Sequence, residues 1–563
     1  MHQDHLLYQE LKTPLDYFYH WEQEEPERTF LRQPYGSEWK TLSYAQAGQE
    51  ARRLCAAMQA KGLRRGDHIG MLSKNCYHWI LADLAIMMGG FVSVPYYASL
   101  PKRQLREVIL KSDIRLLFVG KLETWGDKIE AVPAEVEIVR FPHYQGNAEV
   151  PQGEDWEALL AAYPPIEGQP RPALDDLWTI LFTSGTTGSP KGVMHSFRNP
   201  ALVIRGEQLS HFIGLFQISA ARCFSFLPLN HVGERIGVET SCLAMGGSIS
   251  FAESIDTFLQ NLQDTQPTIF FAVPRIWTKF YQGVITRLPA GLLNVLLQVP
   301  LIAGFLRRRI RTALGLRDVE IAATGAAITP AYLKRWYRAL GIHLIEAYGM
   351  TEVCGTIANS PQLNAPPDAV GTTMPFCQIK VHPRSGEVLL QAPYNMIGYY
   401  KDPVKTKEVL REGWIHSGDR GTMDEQGYLR IIGRVKDAFK TAKGLYILPN
   451  PMEEELARSQ YIEQICIAGL GIKQPIALIN LSDIGKTLSK DNLERELKKE
   501  LDRLNKRLPN YQRIITLVID TTTWTEANQL LTPTLKVRRG KLDDFYGKKY
   551  KSWEEAREAI VWI

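Results

Sequence analysis

Between residues 68 and 119, short apolar runs alternate with helix-like stretches, and this rhythm constrains the chain more than any other feature. Residues 68–72, 91–96 and 114–119 read as strands, and 77–88 and 102–111 as the helices between them. Parallel strands need a long crossover, usually a helix, so this alternation argues for α/β layers with parallel sheets. The pattern returns later. Strands are expected at 224–229, 248–252, 268–273, 319–324 and 343–347, with helices at 255–264 and 330–340. Ligands in such sheets bind beyond the carboxyl ends of the strands.

A chain of 563 residues is too long for one core, since cores stop growing near ~250–300 residues. Past about Gly386 the texture turns to short β-like runs with turns such as Asp424-Glu-Gln-Gly427. After Arg434 a small α/β segment begins, with a charged helix at 490–506. A boundary near Val435 and Lys436 therefore divides 1–434 from 435–563. The expected fold is α/β: a large N-terminal domain of layered, mostly parallel sheets with helices and a small β-rich part, then a smaller C-terminal α/β domain.

The charge balance, 66 basic against 61 acidic residues, is too weak to imply a nucleic-acid partner. Seven scattered cysteines without a CxxC pair read as reduced thiols, not as a zinc site or a disulfide framework. The N-terminus carries no basic-then-apolar secretory pattern, so a cytoplasmic protein is expected. Residues 288–306 carry no charge and are followed by Arg307, Arg308, Arg309 and Arg311. Prolines and glycines interrupt the run, and a membrane span needs ~20 mostly apolar residues. A packed helix or a hairpin of two short helices is expected there, with peripheral contact of 288–311 at the inner face of a membrane as the alternative.

The strongest chemical signal is Leu181-Phe-Thr-Ser-Gly-Thr-Thr-Gly-Ser-Pro-Lys-Gly192. A buried-looking strand feeds a loop of small hydroxylated residues and glycines, then a lysine, then an expected helix. Gly185 and Gly188 let the backbone approach a polyphosphate. The N–H groups and the hydroxyls of Thr183, Ser184, Thr186 and Thr187 can hydrogen-bond its oxygens. Lys191 adds a cation. The spacing is not the Walker type, because Lys191 stands three after Gly188 and precedes Gly192.

The loop resembles, along its whole length, the phosphate-binding signature of the adenylate-forming superfamily, which includes acyl-CoA synthetases, luciferases and peptide-synthetase adenylation domains. Further blocks of that family follow in order: Ala347-Tyr-Gly-Met-Thr-Glu352, His416-Ser-Gly-Asp419, Gly433-Arg-Val-Lys-Asp437 and Leu531-Thr-Pro-Thr-Leu-Lys536. The resemblance runs from about residue 40 to about 545. It implies ATP, Mg²⁺ and coenzyme A as cofactors. It places Tyr348 at adenine, and Glu346, Ala347, Gly349, Gly325, Ala326 and Arg434 around the nucleotide. Asp419 falls at the ribose, Thr351 at the α-phosphate, and Thr187 and Glu352 at the metal. Lys536 becomes the catalytic lysine and Lys436 the hinge of a mobile C-terminal domain. The chemistry suits those residue types. Mg²⁺ takes one or two carboxylates beside phosphate, and a lysine between carboxylate and phosphate offsets the repulsion of two anions.

Phe226-Leu-Pro-Leu-Asn-His-Val-Gly-Glu-Arg235 resembles long-chain fatty acyl-CoA synthetases in particular, which makes His231 a candidate beside the reacting carboxyl. The segment 236–245 could line a tail tunnel or simply be core. One block departs from the family. Where long-chain members often carry Ser-Gly-Gly-Lys after the hinge, this chain reads Ala442-Lys-Gly-Leu445, while Lys440 and Gly444 are retained. That loop faces the thioester-forming site in the family. The alternatives are therefore an acyl-AMP ligase serving a carrier protein, or a non-catalytic acyl- or nucleotide-binding relative. A homodimer is compatible with the sequence.

Overall fold

The alternating segments assemble into two large sheets. The computed structural model describes residues 2–183, 190–526, 528–532 and 536–563. In an eight-stranded sheet, His68–Ser73 lies parallel between Val92–Tyr96 and Ile114–Gly120. Leu177–Thr183 joins parallel to Val92–Tyr96. The crossover helix Tyr77–Met88 is buried along its whole length, as expected of a mostly apolar helix that sits between layers, and its two polar residues, His78 and Asp83, are buried with it.

A nine-stranded sheet aligns Arg222–Ser225, Ser248–Phe251, Ile269–Ala272, Ile321–Gly325 and Leu344–Met350, all parallel to their neighbours in this set. The strand expected to reach Leu229 stops at Ser225, because the Phe226 N–H leaves the ladder to donate to Glu234 Oε1 at 3.1 Å. An antiparallel hairpin not anticipated from sequence, Thr29–Tyr35 with Glu38–Ser43, closes one edge.

One expectation fails. Lys191 is followed by a strand, Lys191–Ser196, antiparallel to Leu177–Thr183 with Thr183 opposite Lys191. The reason is burial on both sides. Val193 and His195 are fully buried, and Met194 pairs with Gly398 of Gly398–Tyr399. The helix begins only at Arg198. The glycine-rich segment therefore connects the two arms of a hairpin. Ser184, Gly185, Thr186, Thr187 and Gly188 lie outside the described residues.

A five-stranded antiparallel sheet follows, in which Trp414–Met423 pairs with Leu429–Arg434 around the Asp424–Gly427 turn. Beyond it the chain builds a separate four-stranded sheet: Ile462–Ala468, Ile476–Leu481, Leu517–Ile519 and Ile560–Trp562. The charged helix Lys490–Asn505 covers it through Leu493, Leu497, Leu501 and Leu504, an apolar stripe of helical period. Among the described residues, the hydrophobic clusters of this region include no side chain before Phe439, and the clusters before it include none after Ile431. Among the described residues, polar contacts of Arg275 with Glu463 and of Ser99 with Glu526 bridge the two parts.

Residues 290–313 form two helices in succession, Ala290–Leu296 and Pro300–Ala313. No helix among the described residues is long and apolar enough to cross a membrane. All seven cysteines are free.

Candidate active site

Strand Leu344–Met350 carries its carboxyl end into a cleft that gathers most of the expected residues. Gly349 bulges against the next strand, where a Cβ would stand 1.8 Å from the Gly355 carbonyl oxygen. Only glycine fits so close an approach. The chain then turns through Thr351 and Glu352, both buried. The His195 ring fixes this turn, donating from Nε2 to the Thr351 carbonyl at 2.7 Å. Burial pushes His195 down to about 4, so the ring is neutral at physiological pH.

Glu352 Oε1 accepts from the Tyr399 hydroxyl at 2.6 Å. Burial and the neighbouring carboxylate push that phenol far above its usual range. The Lys191 ammonium lies 5.2 Å from the centre of the same ring. Burial lowers the Lys191 pKa, and the charge of Lys405 lowers it further. Glu352 attracts this lysine and Lys436 repels it, which places the expected hinge residue within electrostatic reach of the cleft.

On the facing wall, Asp419 and Arg434 are partners on adjacent antiparallel strands. Arg434 Nε lies 3.0 Å from Asp419 Oδ1, and the Tyr348 hydroxyl donates to Oδ2 at 2.8 Å. The carboxylate is thereby fixed in one orientation. Gly325 pairs with Ala347, where a Cβ would meet the Ala347 carbonyl at 2.7 Å. Ala326 then takes a left-handed conformation at φ 65, which an L residue adopts at a cost of about 1–2 kcal/mol. The chain thus turns sharply at the strand end beside Tyr348.

The C-terminal part supplies the remaining charge. Lys536 is held in a tight loop, its N–H donating to Thr532 Oγ1 at 3.0 Å while the Thr532 N–H donates to its carbonyl at 2.8 Å. Its ammonium is pushed down to about 8, first by the surrounding protein and then by Arg434, with Asp419 opposing. The residue itself is exposed. His231 is pushed down to about 4 by burial and then by the charge of Lys536. It is therefore neutral, and its Nδ1 accepts from the Gly233 N–H at 3.1 Å, which leaves the proton on Nε2.

Residues 18–400 match the AMP-binding enzyme family, and residues 436–552 match the AMP-binding enzyme C-terminal domain. The chain belongs to the AMP-binding enzyme family. Among its curated relatives, long-chain-fatty-acid–CoA ligase 1 of Homo sapiens is 28% identical, covering 91% of this chain and 82% of that protein. The peroxisomal long chain acyl-CoA synthetase 6 of Arabidopsis thaliana is 26% identical over 91% of this chain and 81% of its own length. Among solved structures, the adenylation domain of a carboxylate reductase from Mycobacterium chelonae superposes with a TM-score of 0.81 at 20% identity, covering 98% of this chain and 92% of that one. An anthranilate CoA ligase in complex with anthranoyl-AMP gives 0.77 at 18%, covering 96% and 98%. These likenesses establish the adenylate-forming fold, a large N-terminal region and a smaller C-terminal one.

Three expected residues of this AMP-binding enzyme stand apart from the cleft network. Glu346 is buried, ion-paired with Lys334, and accepts the Thr329 N–H at 2.9 Å. Its carboxylate is satisfied inside the protein. Lys440 and Gly444 belong to a surface hairpin of the C-terminal part, where Gly444 takes φ 80 and Thr441 closes the turn onto Leu445. No hydrogen bond or ion pair among the described residues joins that hairpin to His231, Glu352 or Asp419. Conversely, Tyr399 and His195 were not anticipated. Neither stands in a recognisable motif, and each reaches the site only through the strand pairing of 191–196 with 398–399.

Proposed function

We propose that this AMP-binding enzyme activates a medium- or long-chain fatty acid with ATP and transfers the acyl group to coenzyme A. What supports the reading is that the charges of Arg434 and Asp419 act on Lys536 and that of Lys536 acts on His231, so the lysine lies within electrostatic reach of the other expected residues. One oxygen of the acid attacks the α-phosphorus, the bond to the bridging oxygen breaks, and pyrophosphate leaves with that electron pair. Two anions must meet in this step. Lys536 supplies the positive charge between them. Asp419 accepts the ribose hydroxyls, oriented by Tyr348 and Arg434. Thr351, fixed through its carbonyl by His195, offers its hydroxyl to the α-phosphate. His231 donates Nε2–H to the acyl carboxyl. In the second step the thiol of coenzyme A attacks the acyl carbon, its proton passes to solvent, and AMP departs.

The residues present fit a magnesium ion. Glu352 keeps one oxygen without a hydrogen bond among the described residues, and together with Thr187 it would hold the ion that neutralises phosphate charge. Residues 1–434 would bind ATP and acid, and 435–563 would carry the lysine. Between steps the smaller part turns about Lys436, withdrawing Lys536 and presenting the Lys440–Gly444 hairpin, a hinge motion of common kind. The fatty acid rests on the block around His231 and on the names of the curated relatives.

Mass spectrometry of products from Mg-ATP and saturated acids of graded length, with and without coenzyme A, tests this reading. Acyl-CoA and AMP are expected only when acid and coenzyme A are both present. Acyl-AMP without acyl-CoA would replace coenzyme A by a carrier-protein thiol and make Ala442–Leu445 the reason. No pyrophosphate from any acid would sink the fatty-acid reading.

Two substitutions probe the walls. Asp419→Ala is expected to raise the KM for ATP about 100-fold, since two hydrogen bonds to a charged group are lost. The KM for the acid should stay within a few-fold, and equal rises in both would remove the ribose role. His231→Ala is expected to lower kcat/KM for the acid about 10- to 100-fold, the worth of one hydrogen bond to a charged partner. An unchanged value would make His231 a helix cap only.

A further inference from the structure

We propose that the helical segment at 288–311 docks this enzyme on the anionic face of a phospholipid bilayer. The inner face of the segment is anchored. Leu293, Ala303 and Ile310 are buried, and Leu293 and Ile310 pack in the cluster that holds Phe270, Trp277 and Phe280. Arg307 donates to the Ala339 carbonyl at 2.8 Å and Arg311 to the Leu316 carbonyl at 3.2 Å, which ties the second helix to the body.

The outer face has the opposite character. Leu292, Val295, Val299, Ile302 and Phe305 are all exposed, with 60% of Val295 and 67% of Phe305 accessible. Ile302 and Phe305 share one helical face with Arg309, by the three- and four-residue spacing of a helix. Single exposed apolar residues are ordinary, but a contiguous set ending in cations is not. Arg308 and Arg309 are exposed and make no ion pair among the described residues.

Charge decides the occupant. From residue 265 to 317 there are eight Lys and Arg residues and no Asp or Glu, in a chain balanced overall at 66 to 61; of the eight, Arg275 pairs with Glu463 and Arg317 with Asp318. A second copy of the chain could also cover the apolar face. A two-fold contact, however, would set this patch against itself and bring two acid-free, positive segments together. An anionic lipid surface offers apolar depth for Phe305 and Val295 and counter-charge for Arg308 and Arg309. The short helices would lie in the interface, not across it.

The test is sedimentation of the full chain with sucrose-loaded vesicles of phosphatidylcholine alone or with added phosphatidylglycerol. Binding is expected on the anionic vesicles, with loss at high salt. The pair Arg308→Glu, Arg309→Glu and the pair Val295→Ser, Phe305→Ser are each expected to bind about 10-fold or more weakly. Circular-dichroism melting of both should match the parent, so lost binding is not lost folding. The proposal fails if the parent binds neither vesicle, if it binds neutral vesicles equally, or if the variants bind like the parent. It fails equally if the parent is a dimer that the variants split while no vesicle is bound. None of these outcomes depends on which acid is activated.

Discussion

Replacing Lys536 with alanine is expected to lower acyl-adenylate formation about 100- to 1000-fold, the range seen when one donor to developing charge is removed. Thioester formation from supplied acyl-AMP should fall less than about 3-fold, because in the proposed second step this lysine has left the cleft. Pyrophosphate release reports the first half-reaction, and acyl-CoA formed from synthetic acyl-AMP reports the second. Equal loss in both would make Lys536 a structural residue of the cleft. Its pH behaviour sharpens the test. The protein around it and Arg434 push the ammonium down to about 8, so the charged form dominates below that value and is lost as pH rises through it. The kcat/KM for adenylation, which reports the free enzyme, should therefore fall on an alkaline limb near pH 8. Lys536→Arg should displace that limb upward, since a guanidinium stays charged. A limb that ignores this substitution belongs to another group.

The layered architecture was legible in the sequence because its periods are local. The mostly apolar run of the helix Tyr77–Met88 and the short strands around it announce themselves within a few residues. The failure at Lys191 shows the limit. A strand and a short helix start look alike after a glycine loop, and what decides is pairing on both sides, with Leu177–Thr183 across the loop and with Gly398–Tyr399 far along the chain. The Asp419–Arg434 pair was within reach. The turn at Asp424–Gly427 predicts a hairpin, and counting outward brings the two residues nearly opposite. The bulge between Arg420 and Gly421 adds the missing step, and no sequence pattern announces it. The approach of Lys536 to His231 could not be counted at all, since it depends on how two separately cored regions meet.

Asp83→Ala is expected to cost about 3–5 kcal/mol, the largest stability effect of any single change considered, because it strips the partner from a buried charge. Arg235 has no accessible surface. It meets Asp83 through two bonds, of 3.1 and 2.7 Å, and lies between Trp178 and Trp79, with its guanidinium 4.5 and 5.1 Å from their rings. Ser93 completes the cluster, donating to Asp83 at 2.7 Å. Glu239 stands 3.5 Å from Arg235 Nε but is not an equal partner. Burial pushes its carboxyl well above the usual range and the charge of Asp83 adds to this, against the pull of Arg235, so it is held neutral. Glu239→Gln should thus cost under about 1 kcal/mol, since an amide imitates a neutral carboxyl. With Asp83 removed, Glu239 becomes free to ionise as the substitute counter-ion. The double variant should then be less stable than the two single effects added together, a coupling that urea unfolding in a double-mutant cycle measures directly. If Glu239→Gln alone matched Asp83→Ala, the charge would reside on both carboxyls and this account would fall. The cluster matters for the site because Arg235 opens the π-helical turn Arg235–Thr240 directly after the short helix that His231 caps. Such turns persist only where side chains hold them, so whatever releases Arg235 also releases the backbone that aims His231 into the cleft.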